Sequence, residues 1–504
     1  MLAPPLQNTA APRDREPDAD LQKIIEWHAA RRDRILRGDY QSHLLRLSDL
    51  VNQSIDSPLR IDAVRVEGAT NTRQSFLASL INPVLTQPTD TLGDVLHTTR
   101  HISHLLQKTG IFKHVGATLE RAKNDLANPH DVDIVFKARE LGRYYLNTST
   151  ELGNNNEGSA SATARIRNVF GGAETFEANI AAGTKTKKSF RAALSLPLTS
   201  DLNTYGELST YGLQRDQTSY ASCIEDFKGI KAVVRNQPSF GGQHEFAYEA
   251  VHRHVGNLAS TASLSMRAAA GPSVKSALSH TYVFDSRDDR LMATRGFYFR
   301  FFHELAGAGI SVPISAATPE RPAATTWLGL GGDAAFYKAE TEAQVSRPIT
   351  SGLSLSLAMR SGLLLGIQRK PTLFSDRFQI GGPTSVRAFK AFGMGPRDGP
   401  DSVGGDVYYT LGLSLVSHIP KKSHWPVKSH LWINCGQLDS LDRARPLTQS
   451  FPQSFLRPSI SAGLGLIYRF DPIRVELNFG MPLVASKSDA LRRGIQVGIG
   501  LEFL

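Results

Sequence analysis

The chain has 504 residues, of which 41% are apolar and 21% charged, and its 57 Lys+Arg against 47 Asp+Glu give a net charge of +10. This composition excludes a chain that is disordered throughout, and no run of about 18 consecutive apolar residues is present to form a transmembrane helix. The mean hydropathy of −0.23 still permits a transmembrane β-barrel, because every second residue of such a barrel is polar.

Residues 1–58 are predicted to be an N-terminal extension that is disordered and then helical. Residues 1–17 contain four prolines and few large apolar side chains, which favours disorder. Residues 18–52 carry apolar side chains at helical spacing. The extension has no basic segment followed by an apolar core, so we expect no secretory signal peptide.

Residues 59–141 are predicted to form one small α+β domain in the order strand, helix, helix, strand, strand. The first strand, Ile61–Glu67, is rich in β-forming residues. Two segments with an apolar helical face follow; Pro83 is expected to end the first helix, and Gly110 the second. Two alternating segments after Gly110 complete the domain.

From residue 142 onward the apolar residues recur with a period of two. Examples are residues 160–166, 353–360, 406–415, 473–479 and 495–503. These segments are about ten residues long, which is longer than usual soluble strands, and their polar face carries charged side chains beside Gly and Ser. The 504 − 141 = 363 residues allow about sixteen strands at about 22 residues each. Residues 259–269 leave a count of sixteen or seventeen open.

The excess of basic over acidic side chains lies entirely in this last segment. Residues 142–504 hold 39 basic and 29 acidic side chains, a difference of +10, whereas residues 1–58 and 59–141 have net charges of −1 and +1. A nucleic-acid-binding protein would show a concentrated basic stripe with interleaved aromatic residues. No such stripe is visible, so we expect no nucleic-acid partner.

The sequence contains none of the motifs that would indicate an enzyme. A P-loop, a zincin motif and a G-x-S-x-G elbow are all missing. His101 and His104 have no third ligand nearby, and Cys223 and Cys435 have neither metal nor disulfide spacing. The interpretation is a protein without enzymatic activity, metal or cofactor.

Residues 366–403 carry the most specific motif, Val386-Arg387-Ala388-Phe389, preceded by Gly381-Gly382. The stretch resembles the inward-folded loop of the outer-membrane barrel-assembly superfamily, whose motif is Val/Ile-Arg-Gly-Phe/Tyr. Ala388 stands where the family has glycine. Either the backbone here has negative φ, or close packing against the barrel wall is relaxed.

The resemblance implies a mainly β fold, with a transmembrane antiparallel barrel of about sixteen strands at 142–504 and one polypeptide-transport-associated (POTRA) domain at 59–141. Asp285-Ser286-Arg287 through Arg295-Gly296 also resembles a strand–turn motif of the family. A single POTRA domain and no signal peptide resemble the mitochondrial branch, the core of the sorting and assembly machinery. The implied location is the mitochondrial outer membrane, with the POTRA domain in the intermembrane space.

In the resembling family the motif arginine points into the barrel and pairs with acids on the wall. The resemblance therefore implies that Arg387 holds the loop in the lumen, where a guanidinium can make several directed bonds to a carboxylate. The period-two pattern places Asp406 and Glu476 on the lumen face. These two acids are the candidate partners of Arg387.

The first and last strands are predicted to form a lateral gate. The last strand carries Gln496, Gly498, Leu501 and Phe503, a spacing that resembles the sorting signal of mitochondrial barrel precursors. The family opens the seam between these strands and offers the edge of the first strand, which here contains Tyr145, Asn147 and Ser149.

The function implied by the resemblance is insertion and folding of β-barrel precursor proteins by strand exchange at that gate. Its expected partners are the precursors, the lipid bilayer and accessory subunits of an assembly complex. Two alternatives stay open, namely a polypeptide translocation channel of another organellar or bacterial outer membrane and a passive porin-like channel.

Overall fold

A computed structural model describes residues 21–36, 48–86, 89–123, 128–153, 157–238, 241–307, 331–367, 370–419, 425–441, 456–470 and 473–500. The chain divides into two compact units. One consists of residues 1–70 and 78–140, and the other of residues 71–77 and 141–504.

The N-terminal extension is helical where it is described. Leu21–Leu36 forms a helix, and residues 48–53 are also helical, as the spacing of apolar residues predicts. The segment predicted to be disordered, residues 1–17, lies outside the described residues. Across the described part of the chain, no helix is both long enough and apolar enough to cross a bilayer.

The first unit contains a three-stranded sheet and two helices in the predicted order. Strand β1 (Arg60–Glu67) is followed by helices Gln74–Leu85 and Leu92–Lys108, then by β2 (Phe112–Arg121) and β3 (Asp131–Glu140). Strand β3 lies in the middle, parallel to β1 and antiparallel to β2. The parallel pair requires a crossover, which the two helices provide.

The second helix of this unit is fixed by a capping box and an apolar face. The amide of Asp94 donates to the Thr91 hydroxyl at 3.2 Å, and the Thr91 amide donates to the Asp94 carboxylate at 3.3 Å. The Thr91 hydroxyl also donates to that carboxylate, which lowers the pKa of Asp94. Val95, Ile102 and Leu106, which form the apolar face of the helix, are fully buried.

Pro83 does not end the first helix as predicted, since the helix continues to Leu85. A proline removes one backbone hydrogen bond and crowds the preceding turn. Here it lies only two residues from the C-terminal end, so its effect is confined to the last turn. Gly110, with φ of +69°, follows the second helix as predicted.

The second unit is built on a sixteen-stranded antiparallel sheet, as the residue count predicts. Its strands are β4 (Tyr144–Gly153), β5 (Glu157–Arg167), β6 (Thr175–Gly183), β7 (Thr186–Pro197), β8 (Thr204–Asp216), β9 (Ile224–Asn236), β10 (Gln243–Gly256), β11 (Gly271–Asp285), β12 (Gly296–Ala306), β13 (Phe336–Thr350), β14 (Leu353–Gly366), β17 (Val407–His418), β18 (Val427–Asp439), β19 (Ser459–Phe470), β20 (Ile473–Val484) and β21 (Gly494–Gly500). Each strand pairs with its neighbours in chain order, so successive connections alternate between the two ends of the sheet.

Residues 259–269 do not form a seventeenth strand. Leu264–Ala269 is a short helix, and the Ser263 hydroxyl accepts a hydrogen bond from the Met266 amide at its start. A second short helix, Thr218–Ala221, lies between β8 and β9. Two-residue strands β15 (Arg397–Asp398) and β16 (Asp401–Ser402) form a separate hairpin within the connection from β14 to β17.

The period-two pattern separates an apolar outer face from a polar inner face. Leu357, Leu431 and Leu464 are exposed on the outer face. Thr410 and Asn478, on the inner face, are buried. This arrangement is what a sheet requires when one side faces lipid and the other faces a polar lumen.

The inner face is covered by the connection between β14 and β17, which we call the inward loop (residues 366–403). Its apolar side chains pack against residues of β11–β14, β17 and β18 that point to the same side. Those from the loop are Phe378, Ile380, Val386, Phe389 and Met394, and those from the sheet include Ala277, Ala306, Phe336, Ala358, Leu364, Tyr408 and Leu438. The core of this unit therefore lies between the sheet and the loop.

The sheet is not closed by a backbone ladder in the described residues. Strand β4 pairs only with β5, and β21 pairs only with β20, so these two strands are the edges of the sheet. The Cα atoms of β4 and β21 nevertheless come within 8 Å of each other. The sheet therefore curls until its first and last strands adjoin.

Candidate functional site

The two predicted glycines form the turn that presents the loop motif. Gly381 and Gly382 have φ of +107° and +113°, a region that side chains with a Cβ rarely adopt. A Cβ on Gly381 would also lie 2.8 Å from the carbonyl oxygen of Lys390. The Gly382 amide donates to the Val386 carbonyl at 3.2 Å and closes the turn.

Arg387 forms an ion pair with Glu476, one of its two candidate partners. Its Nε and Nη2 atoms lie 3.1 Å and 2.9 Å from Glu476 Oε2. Both side chains are 0% exposed. Charges buried to this degree are stable only when they are paired and hydrogen-bonded, so each side chain fixes the other.

The rest of the Arg387 guanidinium is accommodated by β18 and its neighbours. Nη1 donates to Asn434 Oδ1 at 3.1 Å, and the guanidinium carbon lies 5.4 Å from the centre of the Trp432 ring. A Cβ on Gly463 or Gly480 would come within 2.6 Å of that ring. The two strand glycines therefore make room for the indole against which Arg387 lies.

Glu476 is shared by a second arginine. Arg474 Nη2 donates to Glu476 Oε1, whereas Asn478 Nδ2 donates to Oε2 at 2.8 Å. His430 Nε2 is in turn 2.8 Å from Asn478 Oδ1. One carboxylate thus lies between two guanidinium groups, and an amide fixes its orientation.

Asp406 is not a partner of Arg387, and this prediction was wrong. Its carboxylate accepts from the Thr372 hydroxyl at 2.8 Å and from the Leu441 amide at 3.2 Å, and it lies 4.0 Å from Arg377 Nε. The period-two pattern gives the face of the sheet but neither the height along a strand nor the distance between strands. Asp406 precedes β17, three strands away from β20.

Ala388 adopts the left-handed conformation that its glycine counterpart would adopt most easily. Its φ is +67°, so the alternative of a negative φ is wrong. The residue is buried. Its amide donates to Gln496 Oε1 at 2.8 Å, and its carbonyl accepts from the Arg492 amide at 3.0 Å. These bonds hold a backbone conformation that costs roughly 1–3 kcal/mol for a residue other than glycine.

The last strand fastens the motif through the side chain of Gln496. While Oε1 accepts from the Ala388 amide, Nε2 donates to the Phe389 carbonyl at 2.8 Å. The Ser461 hydroxyl donates to the Arg387 carbonyl at 2.7 Å. Gln496 and Gly498 therefore lie on the inner face, with Gly498 opposite Glu476 in the ladder. Leu501 and Phe503 lie outside the described residues.

A second buried ion pair, which sequence reasoning missed, holds the start of the loop. Arg253 of β10 donates to both oxygens of Asp376, at 2.6 Å and 3.1 Å, and both side chains are buried. The Ser375 hydroxyl donates to Glu225 of β9. The only signal in the sequence was an arginine at a position between the apolar inner-face residues Val251 and Val255.

The predicted gate residues of the first strand lie on the inner face of β4. Tyr145 lies under the guanidinium groups of Arg165 and Arg167, at 5.8 Å and 5.4 Å from its ring centre. Asn147 is opposite Thr163 in the ladder. Ser149 and Ser161 share a hydrogen bond of 2.8 Å. These three contacts go to β5. The described residues contain no ladder from β4 to β21.

The described ranges contain no group of three or more His, Cys, Asp or Glu side chains able to hold a metal ion. The site offers directed hydrogen bonds, the buried ion pairs of Arg253 and Arg387, and a strand edge on β4 without a second ladder partner in the described part of the chain. Such an arrangement can hold a loop and bind a strand.

Comparison with known proteins gives a family and a set of relatives. Residues 168–503 match the Omp85 superfamily domain. A SAM50-like protein of Schizosaccharomyces pombe is 32% identical over 465 residues, covering 91% of this chain and 94% of that protein. The human Sorting and assembly machinery component 50 homolog is 28% identical over 455 residues, covering 88% of this chain and 90% of that protein.

The fold is similar to that of a bacterial protein. The crystal structure of BamA from Haemophilus ducreyi lacking POTRA domains 1–3 superposes with a TM-score of 0.70 at 15% sequence identity. The match covers 88% of this chain and 84% of that chain. It shows that the sixteen-stranded sheet has a BamA-like architecture.

We predict that Arg387→Ala releases the inward loop while the sheet stays folded. Removing one partner of a buried ion pair costs about 3–5 kcal/mol in soluble proteins when the other charge is left unpaired. The cost is smaller here because Glu476 keeps its bond to Arg474. Limited proteolysis should cut within residues 366–403 of the variant and spare the wild type. The matched control is Arg397→Ala in the same loop, whose guanidinium donates to the nearby Pro400 carbonyl. Wild-type protease resistance of Arg387→Ala would contradict the anchoring role.

We predict that Ala388→Gly makes the loop more resistant to proteolysis. Glycine relieves the positive φ at this position, although it also loosens the unfolded chain, so the net gain should be at most about 1 kcal/mol. The matched control is Ala391→Gly, since Ala391 is not among the residues with positive φ and should lose stability. Equal behaviour of the two variants would show that the strain at Ala388 is unimportant.

Proposed function

The chain belongs to the Omp85 superfamily, and on that premise we propose that it inserts and folds β-barrel precursor proteins into the mitochondrial outer membrane. The observation that carries the proposal is the combination of two elements: a seam between β4 and β21 without a backbone ladder in the described residues, and a loop that is fixed on the inner face beside it. Its human relative is named Sorting and assembly machinery component 50 homolog, and its Schizosaccharomyces pombe relative is named a SAM50-like protein.

The proposed step is strand exchange at the seam. An incoming strand adds to the backbone edge of β4 that has no ladder partner among the described residues. Such an edge supplies hydrogen bonds without demanding a particular sequence. This mode of binding lets one protein serve many precursors. The inner-face residues Tyr145, Asn147 and Ser149 would contact every second side chain of the incoming strand. The step needs no covalent chemistry.

The outer surface next to the seam favours such an exchange. Tyr144 and Leu146 are strongly exposed on the outer face of β4, but the following outer-face positions are Thr148 and Thr150. A weakly apolar face packs poorly against lipid compared with the leucine-rich strands elsewhere in the sheet. The edge of β4 is therefore a favourable place for another strand to bind.

The first unit is proposed to be the POTRA domain, located in the intermembrane space, and accessory subunits are proposed to join the chain in an assembly complex. The order β1, helix, helix, β2, β3 with a central β3 supports the domain assignment. A passive porin would need neither this domain nor a loop held by two buried ion pairs. A polypeptide translocation channel remains the second candidate.

The test is import of labelled precursors into mitochondria depleted of the endogenous core subunit and supplied with this protein. We predict restored assembly of β-barrel precursors into protease-resistant forms, because the chain provides both the edge and the anchored loop. A helical outer-membrane protein serves as the control substrate and should be unaffected. Failure of the supplied protein to restore precursor assembly would overturn the proposal. Rescue of polypeptide passage across the membrane without barrel assembly would favour the translocation channel.

We predict that a cysteine at Asn147 forms a disulfide with a cysteine placed in the last strand of a precursor. The inner-face position on the free edge brings the two side chains next to each other after strand addition. Ser279→Cys is the matched control, since Ser279 also faces inward but lies on β11, far from the seam. Crosslinks at Ser279 and none at Asn147 would argue against the gate.

A further inference from the structure

The connection between β11 and β12, residues 286–295, is a second insert on the inner face of the sheet. This connection and the inward loop start from opposite ends of the antiparallel sheet, because successive connections alternate. The two inserts are linked through Arg474 and Glu476 of β20, since residues 286–295 contact Arg474 and the inward loop contacts Glu476. We propose that residues 286–295, called the wall turn below, position the Glu476 carboxylate for Arg387 through Arg474.

The wall turn is a built structure with its own internal bonds. Asp288 Oδ1 accepts from the amides of Asp289, Thr294 and Arg295 at 3.0–3.1 Å. Asp289 Oδ1 accepts from the amides of Leu291 and Met292 at 2.7 Å and 3.1 Å. Two adjacent aspartates therefore satisfy five backbone amides, which gives the turn a single shape.

The base of the turn is fixed to its own strands. Arg287 donates to both oxygens of Asp285, at 2.9 Å each, and to Gln344 Oε1 on β13 at 2.8 Å. Its guanidinium carbon lies 4.2 Å from the centre of the Tyr298 ring. The Asp-Ser-Arg segment noted in the sequence thus forms the support of the turn.

The tip of the turn reaches the far strands of the sheet. Asp289 Oδ2 lies 2.5 Å from Arg469 Nη1 on β19, and the Leu291 carbonyl accepts from Arg474 Nη1 on β20 at 2.9 Å. Met292 and Ala293 are buried. The turn therefore connects β11 and β12 with β19 and β20, which are not adjacent to them in the sheet.

Arg474 transmits the position of the turn to Glu476. One of its terminal nitrogens is bonded to the turn, and the other is bonded to Glu476 Oε1. Glu476 Oε2 is left to accept from Arg387 and Asn478. A carboxylate whose one oxygen is held presents the other in a fixed direction, as a supported site requires. The wall turn thus contributes to holding the motif without touching it.

The positive charges of Arg387 and Arg474 explain why each arginine binds a different oxygen of Glu476. Arg387 and Arg474 repel each other across one carboxylate, so each must be kept on its own oxygen. Anchoring Arg474 to the Leu291 carbonyl keeps it away from Oε2. If the turn were displaced, Arg474 would be able to rotate towards Oε2 and compete with Arg387. Asp289 and Arg469 are positioning residues in this arrangement because they fix the tip of the turn.

The test measures how accessible the inward loop is when the turn is weakened. A reporter cysteine replaces Thr384, which is buried next to the motif, in a chain whose Cys223 and Cys435 are changed to Ala. The full chain is folded into vesicles and treated with a membrane-impermeant maleimide. We expect Asp289→Asn to raise the labelling rate by about tenfold, the effect of losing about 1.4 kcal/mol of loop anchoring. Arg290→Ala is the matched control, since its side chain is 84% exposed at the adjacent position.

Two further comparisons separate positioning from a general loss of structure. If the turn acts through Glu476, Asp289→Asn does not raise the labelling rate further when Arg387 is already replaced by Lys. The same substitution raises the labelling rate by its full factor in an Arg253→Lys background, where only the ion pair with Asp376 is weakened. Folding of each variant is verified by its heat-dependent migration in gels.

Unchanged labelling in a folded Asp289→Asn variant, or equal additivity in both backgrounds, would overturn the inference. The inference rests on the proposed function only in treating the inward loop as part of the site at which precursors are assembled. The labelling experiment uses no precursor. It therefore fails or succeeds independently of precursor assembly.

Discussion

The buried pair between Arg387 and Glu476 is the constraint on which the inner side of this protein depends. Neither charge reaches solvent, and two isolated charges would not be tolerated there. The neighbouring residues supply the hydrogen bonds and the packing that such a pair needs. Asn434 and Asn478 complete the hydrogen bonds, Trp432 covers the guanidinium, and strand glycines make room for the indole. The sequence of β18–β20 is therefore specialised to receive one side chain from the loop.

The loop fastens two distant parts of the sheet, β10 and β19–β21, which do not pair with each other. Asp376 binds Arg253 of β10 at its start, and the motif binds β19, β20 and β21 further along. These attachments link distant strands across the inner face. A sheet that is held from inside does not need a complete ladder between its first and last strands. The same organisation therefore supports both stability and an available edge on β4.

Much of this architecture follows from the sequence because period-two alternation is a local property. Alternation gave the strand count and the inner-face position of Glu476. It could not decide between Asp406 and Glu476, since both share the face and differ only in height and strand. The pair of Arg253 with Asp376 and the contact of Asp289 with Arg469 join residues 123 and 180 positions apart. Such contacts depend on curvature of the whole sheet, which no local pattern encodes.

Ala388 and Gln496 illustrate how a local exception is compensated at long range. A left-handed alanine is unfavourable alone, yet its amide and the next carbonyl are both satisfied by one carboxamide from the last strand. Replacing that strand by another would leave a buried donor and acceptor unpaired, at about 1–3 kcal/mol each, unless the new strand carried a side chain able to bond to them. Gln496 meets that condition. The polar side chain at this position of the last strand is therefore a physical requirement of the loop as well as a feature of the strand.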